Sequence, residues 1–260
     1  MNCKNCQETL QQAYHFCPNC GARIVNHRIT LNRLLKQFTG WFLNLDNALV
    51  RTFTGMLFQP EKVISEYIGG VRKKYMSPLS FLTIAISLAG LTIFILQRRF
   101  QGQLDFTMGA EEINPEFSQT WSEIVFDYNA FFFVLYLPIL ALPAYLFMNR
   151  IKYNFPEYIV VFIYTLSQWS ILTFPFSLAV LFISTEAYAS MNQVASGLVL
   201  VFCLYVLQRL NRFGFWSMIG RYMLYLLLTL VLFFTLISII MALLFLTGTL
   251  DLESLKPPAI

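Results

Sequence analysis

Apolar residues run almost unbroken through five stretches of the chain, residues 80–96, 130–148, 158–183, 194–207 and 222–246. About 20 helical residues cross a hydrocarbon layer, so each stretch predicts a transmembrane helix. The fourth is short in its strictly apolar part, yet no charged residue occurs between Glu186 and Arg209, which leaves enough neutral chain for a crossing. The first is introduced by Ser77-Pro78: a serine that can accept a bond from a first-turn amide, then a proline where no backbone donor is required. Upstream the pattern changes. Leu31, Leu34, Leu35, Phe38, Trp41, Phe42, Leu45, Leu49, Phe53 and Met56 recur at helical spacing, with Arg33, Lys36, Asn44, Asn47 and Arg51 on the other side. Such an amphipathic collar either lies in the membrane interface or packs against the spans, and Trp41 with the basic residues favours the interface. Pro60 opens a shorter helix that Gly69-Gly70 closes.

Composition agrees with the pattern. The 260-residue chain is 57% hydrophobic and 12% charged, against about 25% charged residues in soluble domains. The fold class predicted is therefore an all-α polytopic membrane protein of five transmembrane helices, preceded by a small module and amphipathic interfacial helices. Charge placement orients it. With the amino terminus in the cytosol, segments 1–79, 149–157 and 208–221 face inward and hold every Lys and Arg except Arg98, Arg99 and Lys256. The carboxyl terminus then lies outside. The exported stretch 97–128 is acidic, with Glu111, Glu112 and Glu116, but lacks the glycine-punctuated spacing of a calcium loop.

Four of the five cysteines sit in the first 20 residues as Cys3-x-x-Cys6 and Cys17-x-x-Cys20. Two thiolates three positions apart share one tetrahedral ion and a second pair completes the shell, so Cys3, Cys6, Cys17 and Cys20 predict a structural Zn2+ site, a zinc ribbon over residues 1–28. Gly21 suits the turn after the second pair, whereas Gln7 stands at the corresponding place after the first. A reducing compartment disfavours disulfides, and four thiolates leave no open position for catalysis. The module carries few basic residues, which makes nucleic acid an unlikely partner. Cys203, within a span, reads as packing. The domain plan is thus 1–28 zinc ribbon, 29–76 collar, 77–250 membrane region and 251–260 tail.

The paired CxxC array, Arg51-Thr52, Pro60, the block Tyr67-Ile68-Gly69-Gly70-Val71-Arg72-Lys73-Lys74-Tyr75 and Ser77-Pro78-Leu79 together resemble an uncharacterised bacterial family of zinc-ribbon membrane proteins classed as a domain of unknown function. The resemblance is strongest over residues 1–96. It implies an architecture and no activity; the location expected for the chain is the bacterial inner membrane.

Trp41, Arg51, Arg72, Lys73 and Lys74 are the residues expected at the lipid interface, where a basic residue near anionic lipid contributes about 1 kcal/mol. Within the spans, Pro138, Pro143 and Pro175 remove intrahelical hydrogen bonds. Tyr136 and Gln168, with Ser170 and Thr173, are placed to satisfy the freed carbonyls, either as glue between helices or as the lining of a cavity. No Asp, Glu, Lys, Arg or His lies deep in a span, and no HExxH, phosphate loop or nucleophile–histidine arrangement occurs. The function expected is a non-enzymatic integral membrane protein whose zinc ribbon docks a protein partner or regulates a homo- or hetero-oligomeric assembly. A transporter, channel or lipid-handling protein using the proline-kinked helices is the alternative. A lipid-modifying enzyme using Asp46, Arg51, Glu66 and Tyr67 is a third reading.

Overall fold

The computed structural model describes residues 2, 3, 5–9, 11, 14, 16–21, 47–99, 124 and 127–247. Trp41, Asp46, both histidines, the acidic residues Glu111, Glu112 and Glu116, and the tail 251–260 lie outside the described residues. The chain forms two compact units, Met1–Asp46 and Asn47–Ile260.

In the second unit residues 47–58 are helical (α1), and α2 covers Pro60–Ile68. Five long helices follow: α3 Pro78–Arg99, α4 Asn129–Phe147, α5 Phe155–Ile183, α6 Thr185–Asn211 and α7 Phe215–Leu246. All five are long and apolar enough to cross a membrane. The expected start of α3 is met: its first residue is Pro78, and Ser77 Oγ accepts the Ser80 amide at 3.2 Å. Other helices outrun their apolar stretches. α6 begins at Thr185 rather than near 194, because Ser184 Oγ accepts the Ala187 amide at 3.3 Å. α5 begins at Phe155, where the Asn154 amide donates to Glu157 Oε2 at 2.7 Å as half of a capping box. Hydropathy marks the part of a helix that touches lipid, whereas caps decide where the backbone ladder starts.

The long helix α5 is the hub. It packs against α3, α4, α6 and α2, while α7 leans mainly on α4. A run of α5 from Val161 to Thr165 is buried, as are Ser167 and Gln168. Leu137, Leu140, Ala141 and Ala144 of α4, Phe162 of α5, Cys203 and Leu207 of α6 and Tyr225 of α7 share one apolar cluster. Cys203 is fully buried there, which fits its reading as packing. The outward faces are greasy: Leu227, Leu230, Val231 and Phe234 of α7 are exposed, a surface that suits hydrocarbon and not water. Pro138, Pro143 and Pro175 all lie inside continuous helices.

Polar side chains fasten one end of the bundle. Asn211 Oδ1 accepts the amides of Arg150 (2.9 Å) and Ile151 (3.4 Å), and Arg150 Nη1 donates to the Arg212 carbonyl at 2.8 Å. Arg221 Nη1 donates to the Phe147 carbonyl at 2.9 Å. Arg209 reaches α2 and α1, bonding both carboxylate oxygens of Glu61 (3.0 and 2.8 Å) and the Phe58 carbonyl (3.1 Å). The α4–α5 and α6–α7 connections therefore share an end with α1 and α2, as alternating crossings require.

Candidate functional site

In the amino-terminal unit the two CxxC pairs form matching turns. The Gln7 amide donates to the Cys3 carbonyl and the Gly21 amide to the Cys17 carbonyl, each at 2.9 Å. Gln7 (φ 63°) and Gly21 (φ 69°) both take the left-handed conformation. Glycine does so freely, while glutamine pays a steric penalty, so the asymmetry expected at Gln7 is a strained φ and not a different turn. An isolated bridge joins Asn2 and Thr9, and Asn19 Nδ2 donates to Glu8 Oε2 at 3.3 Å between the two halves. Among the described residues no strand forms in this unit.

The four sulfurs of Cys3, Cys6, Cys17 and Cys20 lie within 4.8 Å of one another. Sγ of Cys3 is 3.6 Å from that of Cys20, and Sγ of Cys6 is 3.6 Å from that of Cys17. Disulfide sulfurs sit at about 2.05 Å, so no disulfide joins these pairs. A tetrahedron with metal–sulfur bonds of about 2.3 Å has edges of roughly 3.8 Å, close to both pairs. The donor set thus fits a single metal ion. Cys3 and Cys17 are buried, and Phe16, next to Cys17, is 56% exposed.

A second site lies in the other unit. Arg51, Thr54 and Gly55 of α1, Gln59 and Lys62 at the start of α2, and Lys74 and Tyr75 of the following turn line a cavity of about 350 Å³. Lys74 Nζ bonds Glu66 Oε2 at 2.5 Å, and Arg51 Nη1 donates to the Lys74 carbonyl at 3.5 Å. The Lys74 ammonium holds the Glu66 carboxyl below the usual carboxylate range, and Glu66 in return raises Lys74. Burial raises the Tyr75 hydroxyl. Arg51 and Lys74, read from the sequence as lipid-facing, here meet in one cavity. Lys62, which the sequence reading did not single out, joins them; its place in the first turn after Pro60 was the available signal. Arg72 and Lys73 are exposed beside it. The apolar face of this segment is turned toward protein: Thr52, Met56, Val63 and Ile64 are buried, while Val50 and Phe58 remain exposed.

The residues singled out within the spans are dispersed. Pro138 and Pro175 are exposed and Pro143 is buried. The Tyr136 ring lies 6.0 Å from that of Phe233. Gln168 is fully buried, and neither of its amide atoms has a hydrogen-bond partner among the described residues. Toward the opposite end of the bundle, Thr92, Asn129, Ser170, Thr173, Ser177 and Asn192 help line a cavity of about 270 Å³.

Residues 46–90 match the family described as "Protein of unknown function (DUF3667)". The match spans α1, α2 and the start of α3, a narrower range than residues 1–96. No curated protein matches the chain, and no solved structure does.

Proposed function

We propose that this protein is a non-enzymatic integral membrane protein of the bacterial inner membrane, amino terminus in the cytosol, whose zinc module docks a protein partner. The supporting observation is the closed set of four thiol donors, two pairs each 3.6 Å apart. Four thiolates bind zinc as a structural ion and leave no coordination position for a reacting water. A module this small gains its folding free energy from the ion, and its remaining surface serves for contact. Exposed Phe16, adjacent to the ligand Cys17, is the anchor such a contact would bury. The test is made on the purified full chain and in cells. Metal analysis is expected to find one zinc per chain, absent from Cys17→Ser/Cys20→Ser. A photo-crosslinking residue at Phe16 is expected to give one discrete protein adduct, lost in the cysteine variant while the membrane region still assembles. Iron in place of zinc, or an adduct that survives loss of the metal, counts against the reading.

A second reading, transport of a small polar solute, draws support from the 270 Å³ cavity lined by Ser170 and Thr173. Its test is flux into liposomes carrying the purified protein, with Gln168→Leu and Ser170→Ala as variants. No difference from empty liposomes removes it.

A further inference from the structure

We propose that the cavity between α1, the first turn of α2 and the 72–75 turn binds a phosphate group, carried either by an anionic lipid headgroup or by a free phosphate compound. This inference stands apart from the zinc module. Three cations line the cavity, Arg51, Lys62 and Lys74, and among the described residues no carboxylate does. The two acids of α2 are both engaged: Glu61 by Arg209 at 2.8 Å and Glu66 by Lys74 at 2.5 Å. Lys74 is thereby partly neutralised. Arg51 and Lys62 are in no ion pair among the described residues, and the hydrogen bond from Arg51 to the Lys74 carbonyl uses one guanidinium nitrogen. With Glu66 set against Lys74, a net positive charge remains in this exposed cleft, and an anion would complement it. A forked guanidinium beside ammonium groups matches the several acceptor oxygens of a phosphate.

The helix dipole favours the same sign: Gln59 and Lys62 belong to the amino-terminal turn of α2, its positive pole, although their own amides are bonded to the Gly55 and Gln59 carbonyls at 2.7 and 3.0 Å. The opposing negative pole, at the end of α1, is covered. The carbonyls of Gly55, Leu57 and Phe58 accept from the Gln59 amide (2.7 Å), the Tyr205 hydroxyl (3.0 Å) and Arg209 (3.1 Å). The floor depends on Gly55, where an added Cβ would stand 2.6 Å from Val63 Cγ2. At about 350 Å³ the cavity lies within the ~300–1,000 Å³ range of small-molecule sites. All its lining residues fall inside 46–90, the segment that matches the DUF3667 family.

The test uses the full chain in nanodiscs. In one arm, nanodiscs of equal phosphatidylglycerol and phosphatidylcholine are analysed by native mass spectrometry for lipid retained on the protein. In the other, phosphatidylcholine nanodiscs receive inorganic phosphate or glycerol 3-phosphate, and thermal stabilisation is titrated. Wild type is expected to bind in at least one arm, and the arm identifies the source. Arg51→Gln/Lys62→Gln is expected to weaken that binding by about tenfold or more. Arg72→Gln/Lys73→Gln, outside the cavity, should stay within about twofold of wild type. Arg51→Lys, which keeps the charge and loses the fork, should fall between. Circular dichroism without ligand checks that each variant is folded. Absence of binding in both arms, or equal loss in both variant pairs, overturns the proposal; the latter would mark diffuse surface charge.

Discussion

The Tyr164 hydroxyl, on the hub helix α5, donates to the carbonyl of Met76 at 2.6 Å. The Met76 amide donates in turn to Thr52 Oγ1 at 2.9 Å. Met76 lies just before α3, so neither backbone group has a helical partner, and both are buried. Thr52 and Tyr164 supply the missing bonds and tie α1, the basic turn and α5 together. The Tyr67 ring adds an edge contact to Tyr164 at 5.7 Å. Tyr164→Phe should leave the Met76 carbonyl unpaired and cost about 1–3 kcal/mol, lowering the thermal midpoint in detergent by several degrees.

Gly55 faces Val63, which is 1% exposed and has little room to shift. Gly55→Val should force α1 and α2 apart at a cost of about 1–3 kcal/mol. Limited proteolysis between residues 59 and 77 is expected to accelerate, while the same substitution at Gly90, with nothing within 4 Å, should leave the rate unchanged.

Glu66 and Lys74 make stability depend on pH in a defined direction. The Glu66 pKa lies below its ordinary 4.5. Its contribution is therefore complete above 4.5 and is lost as pH falls through the depressed value. The Lys74 pKa lies above its ordinary 10.5, so the pair also weakens as pH rises through that value. Glu66→Gln should be less stable than wild type at neutral pH, and the gap should close in acid. Thermal midpoints of both proteins from pH 3 to 8 check this, and a gap constant across that range contradicts it.

Asn211 is 3% exposed and spends its amide on two loop N–H groups and the Leu207 carbonyl. Asn211→Leu keeps the volume and removes the bonds; the Ile151 amide is half-buried and the Arg150 amide keeps the Met148 carbonyl at 3.3 Å, so the cost is about 1 kcal/mol. Hydrogen exchange at Arg150 and Ile151 is expected to rise ahead of exchange in α5.

Gly21 takes a positive φ with open space around it. Gly21→Ala should therefore act through conformation alone, at about 1–2 kcal/mol, and speed metal loss to a chromogenic chelator by roughly tenfold. The reverse change at the strained partner, Gln7→Gly, should slow it.

Much of the candidate metal centre was legible because its signal is local: two CxxC turns each bring their own sulfurs together, and only the closing of one pair upon the other needs the fold. The span-dwelling residues were less legible. Proline and glutamine within a helix announce a lost or unmet hydrogen bond, but not which face of the helix carries it. Pro138 and Pro175 turn outward, while Gln168 is fully buried. Lys62 was missed because a lysine on a short amphipathic helix looks like solvated surface until Arg51 and Lys74 are seen beside it.

By itself the sequence determined what depends on composition and short spacing: five helices long and apolar enough to cross a membrane, the cap at Ser77-Pro78, and a set of four thiols. The tertiary structure decided which helix is the hub, that the apolar face of α1 and α2 is turned toward protein, and that cations separated along the chain share a cavity. Those outcomes depend on buried backbone groups finding distant partners, as Met76 finds Tyr164, and such pairing leaves no periodic trace in the chain.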